Sequence, residues 1–322
     1  MHGVSNAWLG YQINAYSARA VLAPLKHKLI IDLLIHLEQG IFLLHKEIER
    51  YLGRLQWATH AYPLMRPFLQ PLYAWLFATI SGGRPGKLIR YLAICMTYML
   101  TKRVERPLRL ARWSPWHGAT DAGASSTHVT VGGWYAPSAD FTQWDAFWFK
   151  FDVTPLQFPW AFDKGDPKAR IAALELLGTV ILFKLLTRTD PGATHKISHS
   201  MLTDNQGNAF SILNSNTKKW PCSALLMELC VHAHEYACTP GISHVKRDLN
   251  TWADDLTNSI THEFDPSKQI DLDAIPDFWL VLPQLMTAHD VDDTNLVPTG
   301  LHRHKRPAVR RQRQRRMSTQ QP

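Results

Sequence analysis

Four carboxylates of this chain are of the residue type that holds hard metal ions and fall in separate segments: Asp121, Glu175, Asp204 and Asp254. Mg²⁺ takes oxygen ligands. A pair of such ions about 4 Å apart can activate a water and stabilise a leaving oxygen in phosphodiester hydrolysis. The carboxylates of such a site must come from separate elements and converge. Asp121 follows Ala119-Thr120, Asp204 closes the apolar run Met201-Leu202-Thr203, and Asp254 follows Ala253 in a late helical segment. His244 precedes Asp254 by ten positions. Glu175 is the clearest oddity, because Ala172, Ala173, Leu174, Leu176, Leu177 and Gly178 surround it. Burying a carboxylate there is costly unless a cation or hydrogen bonds compensate. The plainer reading of Glu175 alone is a Glu on an exposed helical stripe, paired with a Lys or Arg.

The elements that must position these groups are legible in outline. Residues 1–110 read as helical. Pro24 to Gly40 starts with Pro and stops with Gly, as helices do; Leu25, Leu29, Leu33, Leu34 and Leu37 recur within it at helical spacing. Leu44 to Thr59, Pro67 to Ile80 and Leu88 to Lys102 are three further helices, interrupted by Ser81-Gly82-Gly83-Arg84-Pro85-Gly86. At Trp113 the texture changes. Trp116 to Trp134 is strand-like, residues 136–168 are irregular and aromatic, and Phe147 to Phe151 can supply a strand. Pro167 to Leu186 is a strong helix and Ile197 to Leu202 a short strand. Gly207 to Asn214 and Pro221 to Tyr236 read as helices, Ile242 to Val245 as a strand and Leu249 to Asn258 as a helix. Strands alternating with helices predict an α/β fold. Residues 261–300 form an ordered extension anchored by Leu272, Ile275, Phe278, Trp279 and Leu282.

Charge is concentrated at one end. The formal net charge of +8 equals the eight Lys and Arg residues between His302 and Arg316, a stretch without acids, so the body is neutral. The tail over 301–322 is expected to be disordered and to bind polyanions or serve as a nuclear import signal, placing the protein inside the cell and in the nucleus. Four Cys in 322 residues do not make a secreted disulfide framework. Cys222, Cys230 and Cys238 recur every eight residues, which is not a zinc spacing. Buried thiols are expected. No run of about 20 uncharged apolar residues occurs, so no membrane partner is expected. Ser81 to Lys87 lacks the phosphate-binding loop pattern, and Ser125-Ser126-Thr127 offers no nucleophile triad.

The stretch from Thr120 to Asn258 resembles the ribonuclease H domain of a retroelement reverse transcriptase. Thr120-Asp121-Ala122-Gly123 with Val131-Gly132-Gly133-Trp134 resembles its first strand and hairpin. Glu175-Leu176-Leu177 resembles its acidic helix, and Thr203-Asp204-Asn205-Gln206 its Asp-Asn turn. His244-Val245-Lys246-Arg247-Asp248-Leu249-Asn250 with Ala253-Asp254 resembles its late His, Asn and Ala-Asp pattern, the most specific of the set. The resemblance implies a five-stranded mixed sheet flanked by helices over residues 113–260. It implies two Mg²⁺ or Mn²⁺ ions on the four carboxylates, with His244 assisting product release or proton transfer. It further implies nucleic-acid contacts from Asn205, Gln206, Arg247 and Asn250, and the RNA strand of an RNA–DNA hybrid as substrate. Trp8-Leu9-Gly10-Tyr11 resembles the segment that follows a reverse transcriptase palm, and Leu52-Gly53-Arg54-Leu55 and Arg66-Pro67-Phe68-Leu69 resemble the thumb and connection region, most closely in DIRS-like elements of tyrosine-recombinase type.

Two departures shape the expectation. The Tyr-x-Asp-Asp turn of polymerase palms does not occur, since Asp254-Asp255 and Asp292-Asp293 lack the Tyr. The chain therefore reads as a fragment without polymerase activity. The 54 positions between Asp121 and Glu175 imply an insertion around 136–168. Two functions stay open: a metal-dependent endoribonuclease, and a catalytically dead nucleic-acid-binding remnant in which that insertion has displaced Asp121. Convergence of the carboxylates separates them.

Overall fold

The structure, a computed structural model, describes residues 5–8, 10–14, 19–102, 106–107, 111–126, 128–137, 141–191 and 197–287. The basic tail and Asp292-Asp293 lie outside the described residues. The first 22 residues correct the all-helical expectation. Strands β1 (Ser5–Trp8), β2 (Tyr11–Asn14) and β3 (Arg19–Leu22) form an antiparallel meander. Gly10, at φ +86°, supplies the turn between β1 and β2 that a side chain would strain. Four helices follow: α1 (Pro24–Glu38), α2 (His45–Ala58), α3 (Arg66–Ala78) and α4 (Lys87–Thr101). The two-residue strands β4 (Leu43–Leu44) and β5 (Gly82–Gly83) pair between them, and β6 (Arg106–Pro107) joins β3. The Ser81 to Gly86 break is thus partly a strand.

The expected α/β layer is present. Strands β7 (Arg112–Ala124), β8 (Val129–Pro137), β9 (Phe147–Asp152), β10 (Ile197–Thr203) and β11 (Cys238–His244) make one mixed sheet in the order β11-β10-β7-β8-β9. β7, β8 and β9 are antiparallel neighbours, whereas β10 runs parallel to both β7 and β11. Helices α5 (Ile171–Thr189), α6 (Gln206–Leu213), α7 (Cys222–Glu235) and α8 (Thr251–Thr257) complete the layer. It is the five-stranded mixed sheet with flanking helices that the resemblance implied.

The long interval before Glu175 does not disturb the pairing. Asp121 stays in register with Gly132, and the interval holds β9 followed by short 3₁₀ turns at Pro159–Ala161 and Pro167–Arg170. β11 begins four residues earlier than the sequence suggests. Its Pro240 and Gly241 hide the strand, and an edge strand tolerates both. One face of the sheet carries a small cluster with Ala253 and Leu256 of α8, Trp134, Trp148 and Phe264. The main core runs without interruption from Leu34 and Leu55 of the N-terminal helices through Leu177 of α5 and Leu226 of α7 to Leu282 of the extension. Phe278 and Leu282 are buried there, and Leu272, Ile275 and Trp279 pack against it. Among the described residues, no helix is long and apolar enough to cross a membrane.

Candidate active site

Strand register brings the first two carboxylates together. Leu202 of β10 lies beside Ala119 of β7 in a parallel pair, so two residues further on Asp204 stands next to Asp121. The third comes from α5. That helix lies so close to the sheet that a Cβ on Gly178 would meet Val131 Cγ1 at 2.8 Å and Thr120 Cβ at 3.3 Å. Gly178 follows Glu175 by three positions, on the same side of the helix, so the approach carries Glu175 over β7. Ligand oxygens of Asp121, Glu175 and Asp204 all lie within 4.8 Å of one another.

Asp254 arrives on α8. Gly132 lets that helix touch β8, since a Cβ there would sit 2.8 Å from Leu256 Cβ. Asn250 Nδ2 donates to the Thr120 carbonyl oxygen at 3.0 Å and fixes the start of α8 beside Asp121. Asp254 lines the same cleft of about 690 Å³ as the other three but stands outside their cluster of oxygens. It accepts a hydrogen bond from Asn258 Nδ2 at 3.0 Å and pairs with Arg247 at 3.7 Å.

The electrostatics of the cleft favour a cation. Burial raises the carboxyl of Asp121, and Asp204 and Asp254 add to the shift. Burial pushes Glu175 up to about 7, with Asp204 and Asp121 adding to the rise and the Asn205 amide opposing it. Asp204 Oδ1 is buried without a hydrogen-bond partner. Three hard oxygen donors, two of them pushed toward protonation by burial and neighbouring acids and the third with an orphaned oxygen, fit a divalent cation.

Other expected residues take distinct places. His244 sits opposite Thr203 in the β10–β11 register, and its ring Nε2 lies 3.1 Å from the Asp204 carbonyl oxygen, exposed at the surface. Arg247 lines the cleft and is exposed; Gln206 is exposed at the start of α6. The other two expected nucleic-acid contacts are turned toward the protein. Asn250 is 4% exposed and donates to the Thr120 carbonyl oxygen. Asn205 is committed at both ends of its side chain, donating to Glu175 Oε2 and accepting from Asn208 N at 3.0 Å. Lys168 and His128, on the rim of the cleft, belong to no motif and escaped sequence reasoning. Asn205 also caps α6, a role that sequence reasoning missed because it started that helix at Gly207.

No family model and no curated protein matches the chain. Among solved structures it is similar to LC11-RNase H1 in complex with an RNA/DNA hybrid, at 13% identity and a TM-score of 0.34, over 45% of this chain and 94% of that one. It is also similar to RNase H1 from the halophilic archaeon Halobacterium salinarum NRC-1, at 15% identity and a TM-score of 0.30, over 45% and 96%. A third is the foamy viral protease-reverse transcriptase in complex with dsDNA, at 14% identity and a TM-score of 0.26, over 76% of this chain and 45% of that one. At these values the reading of the site rests on its own geometry.

Proposed function

We propose that this chain is a divalent-metal-dependent endonuclease cutting the RNA strand of RNA–DNA hybrids, derived from a retroelement reverse transcriptase of DIRS-like type. The observation that supports this is the meeting of Asp121, Glu175 and Asp204 in one cleft from three separate elements. That convergence favours the enzyme over a binding remnant with a displaced Asp121.

When bound, two Mg²⁺ or Mn²⁺ ions supply the Lewis acidity that activates water and stabilises the leaving oxygen. Asp121, Glu175 and Asp204 are the oxygen donors that hold them, and Asp254 contributes the fourth carboxylate from across the cleft. Glu175 must give up its proton to act as a ligand, so metal affinity rises with pH through the neutral range. His244, exposed and tied to the Asp204 carbonyl oxygen, assists product release or proton transfer. Arg247 and Gln206 meet the phosphate backbone at the mouth. In this reading residues 113–260 are the nuclease module, 1–110 grip the hybrid, the described part of the extension, 261–287, packs against the module, and the basic tail adds non-specific affinity that weakens with salt and directs the protein to the nucleus.

The test is cleavage of an end-labelled RNA–DNA hybrid in Mg²⁺ or Mn²⁺ beside Asp204→Asn. The parent cuts the RNA strand; the variant binds the hybrid and cuts nothing. A parent that binds hybrid without cutting would sink the enzyme and leave a relic.

A further inference from the structure

Helices α5 and α6 are joined at the carboxylate cluster by two asparagines set three positions apart. Asn205 donates its amide to Glu175 Oε2. Asn208, 5% exposed, donates its amide to the Ala172 carbonyl oxygen at 2.8 Å. Ala172 and Glu175 are likewise three positions apart, so the two amides grip successive points on one side of the first turns of α5. Asn205 is itself held. Its Oδ1 accepts from Asn208 N at 3.0 Å, its backbone N–H donates to Thr203 Oγ1 at 3.2 Å, and its carbonyl accepts from Ala209 N at 3.1 Å. It directly follows Asp204. One rigid turn therefore carries one carboxylate of the cluster and grips another.

We infer that Asn205 is a positioning residue for metal binding: it fixes Glu175 at ligand distance from Asp204, while the Asn208 side chain ties α6 to α5 without touching the site. Glu175 reaches the cluster from a helix held close to the sheet at Gly178, but its side chain still has three rotatable bonds. The Asn205 amide holds Glu175 Oε2 and so limits the arrangements open to the carboxylate. A ligand oriented in advance by such an outer partner loses affinity when that partner is removed.

The inference rests on the metal reading above and is tested by Mn²⁺ titration followed by electron paramagnetic resonance, without substrate, with thermal unfolding in parallel. Asn205→Ser keeps an efficient helix cap but cannot reach Glu175. It weakens Mn²⁺ binding roughly tenfold or more and leaves the unfolding midpoint within about 2 °C of the parent. Asn208→Ala shows the reverse, a midpoint lowered by about 2–4 °C with Mn²⁺ affinity close to the parent's. Unchanged Mn²⁺ affinity in Asn205→Ser, or affinity and midpoint falling together in both variants, overturns the positioning role. A parent that binds no Mn²⁺ overturns the metal reading itself, and this inference with it.

Discussion

Glu175 is where function and stability oppose each other most directly. Its carboxyl is raised from 4.5 to about 7 by burial and by the neighbouring acids, so without metal the fold favours the protonated form. The stabilising contribution of that proton is complete below about pH 4.5 and is lost as pH rises through about 7. Glu175→Gln keeps the shape and removes the charge. In EDTA at pH 8 the variant is therefore expected to be more stable than the parent by about 1–2 kcal/mol, after allowance for partial solvent screening. At pH 4.5 the gap closes. Thermal unfolding at the two pH values checks this, and a gap of equal size at both would show that the ionised carboxylate is not the source. Mg²⁺ is expected to stabilise the parent at pH 8 and to leave the variant unmoved. This single position was readable in the sequence as an acid among apolar neighbours. Its partner Asn205 was not, because hydrogen bonding between residues 30 positions apart leaves no local pattern.

At the scale of elements, the site depends on how closely two helices approach one sheet. Gly178 sets the approach of α5. Gly178→Leu forces a side chain into Val131 and Thr120, at a cost of roughly 1–3 kcal/mol, and carries Glu175 away from β7. Unfolding in denaturant and Mn²⁺ titration should both register the change. Gly53, within α2, provides the contrast. A Cβ there meets nothing within 4 Å, so Gly53→Ala is expected to stabilise the protein by about 0.5–1 kcal/mol without touching metal affinity. A Gly178→Leu variant with parental Mn²⁺ affinity would contradict the link between helix approach and site. The elements that read well were those with strong local signals: Pro24 opening α1, Leu periodicity in α2, the apolar length of α5, and Asp204 ending β10. Those that did not were governed by tertiary context. β2 and β3 have four residues each, too few for an alternating pattern to stand out. β11 contains Pro240 and Gly241, admissible only because the strand lies at the edge.

Taken as a whole, the molecule is organised around α7, in which every residue from Ser223 to His234 is buried. A helix buried all round needs cover on every side. α5 and β11 pack on it, as do α3, α4 and the Pro63–Met65 turn. Lys102 Nζ, just beyond α4, also reaches Glu235 Oε1 at 2.6 Å at the end of α7. The extension is fastened to the same helix by Glu228, which is fully buried and paired with an equally buried Lys184. The Glu228 carboxylate accepts the backbone N–H groups of Leu280 at 2.9 Å, Val281 at 2.7 Å and Leu282 at 2.9 Å. Breaking a buried pair on one side costs about 3–5 kcal/mol, because the remaining charge is left uncompensated. Glu228→Gln is therefore expected to destabilise the protein by an amount of that order and to open the segment 265–287 to limited proteolysis. Lys184 lies nine residues beyond Glu175, roughly 14 Å along α5, so Mn²⁺ affinity should survive in the variant. Parental resistance of 265–287 to protease would show that the extension is held by its apolar anchors Phe278 and Leu282 alone. Loss of Mn²⁺ affinity would instead place the Lys184–Glu228 pair among the supports of the cleft.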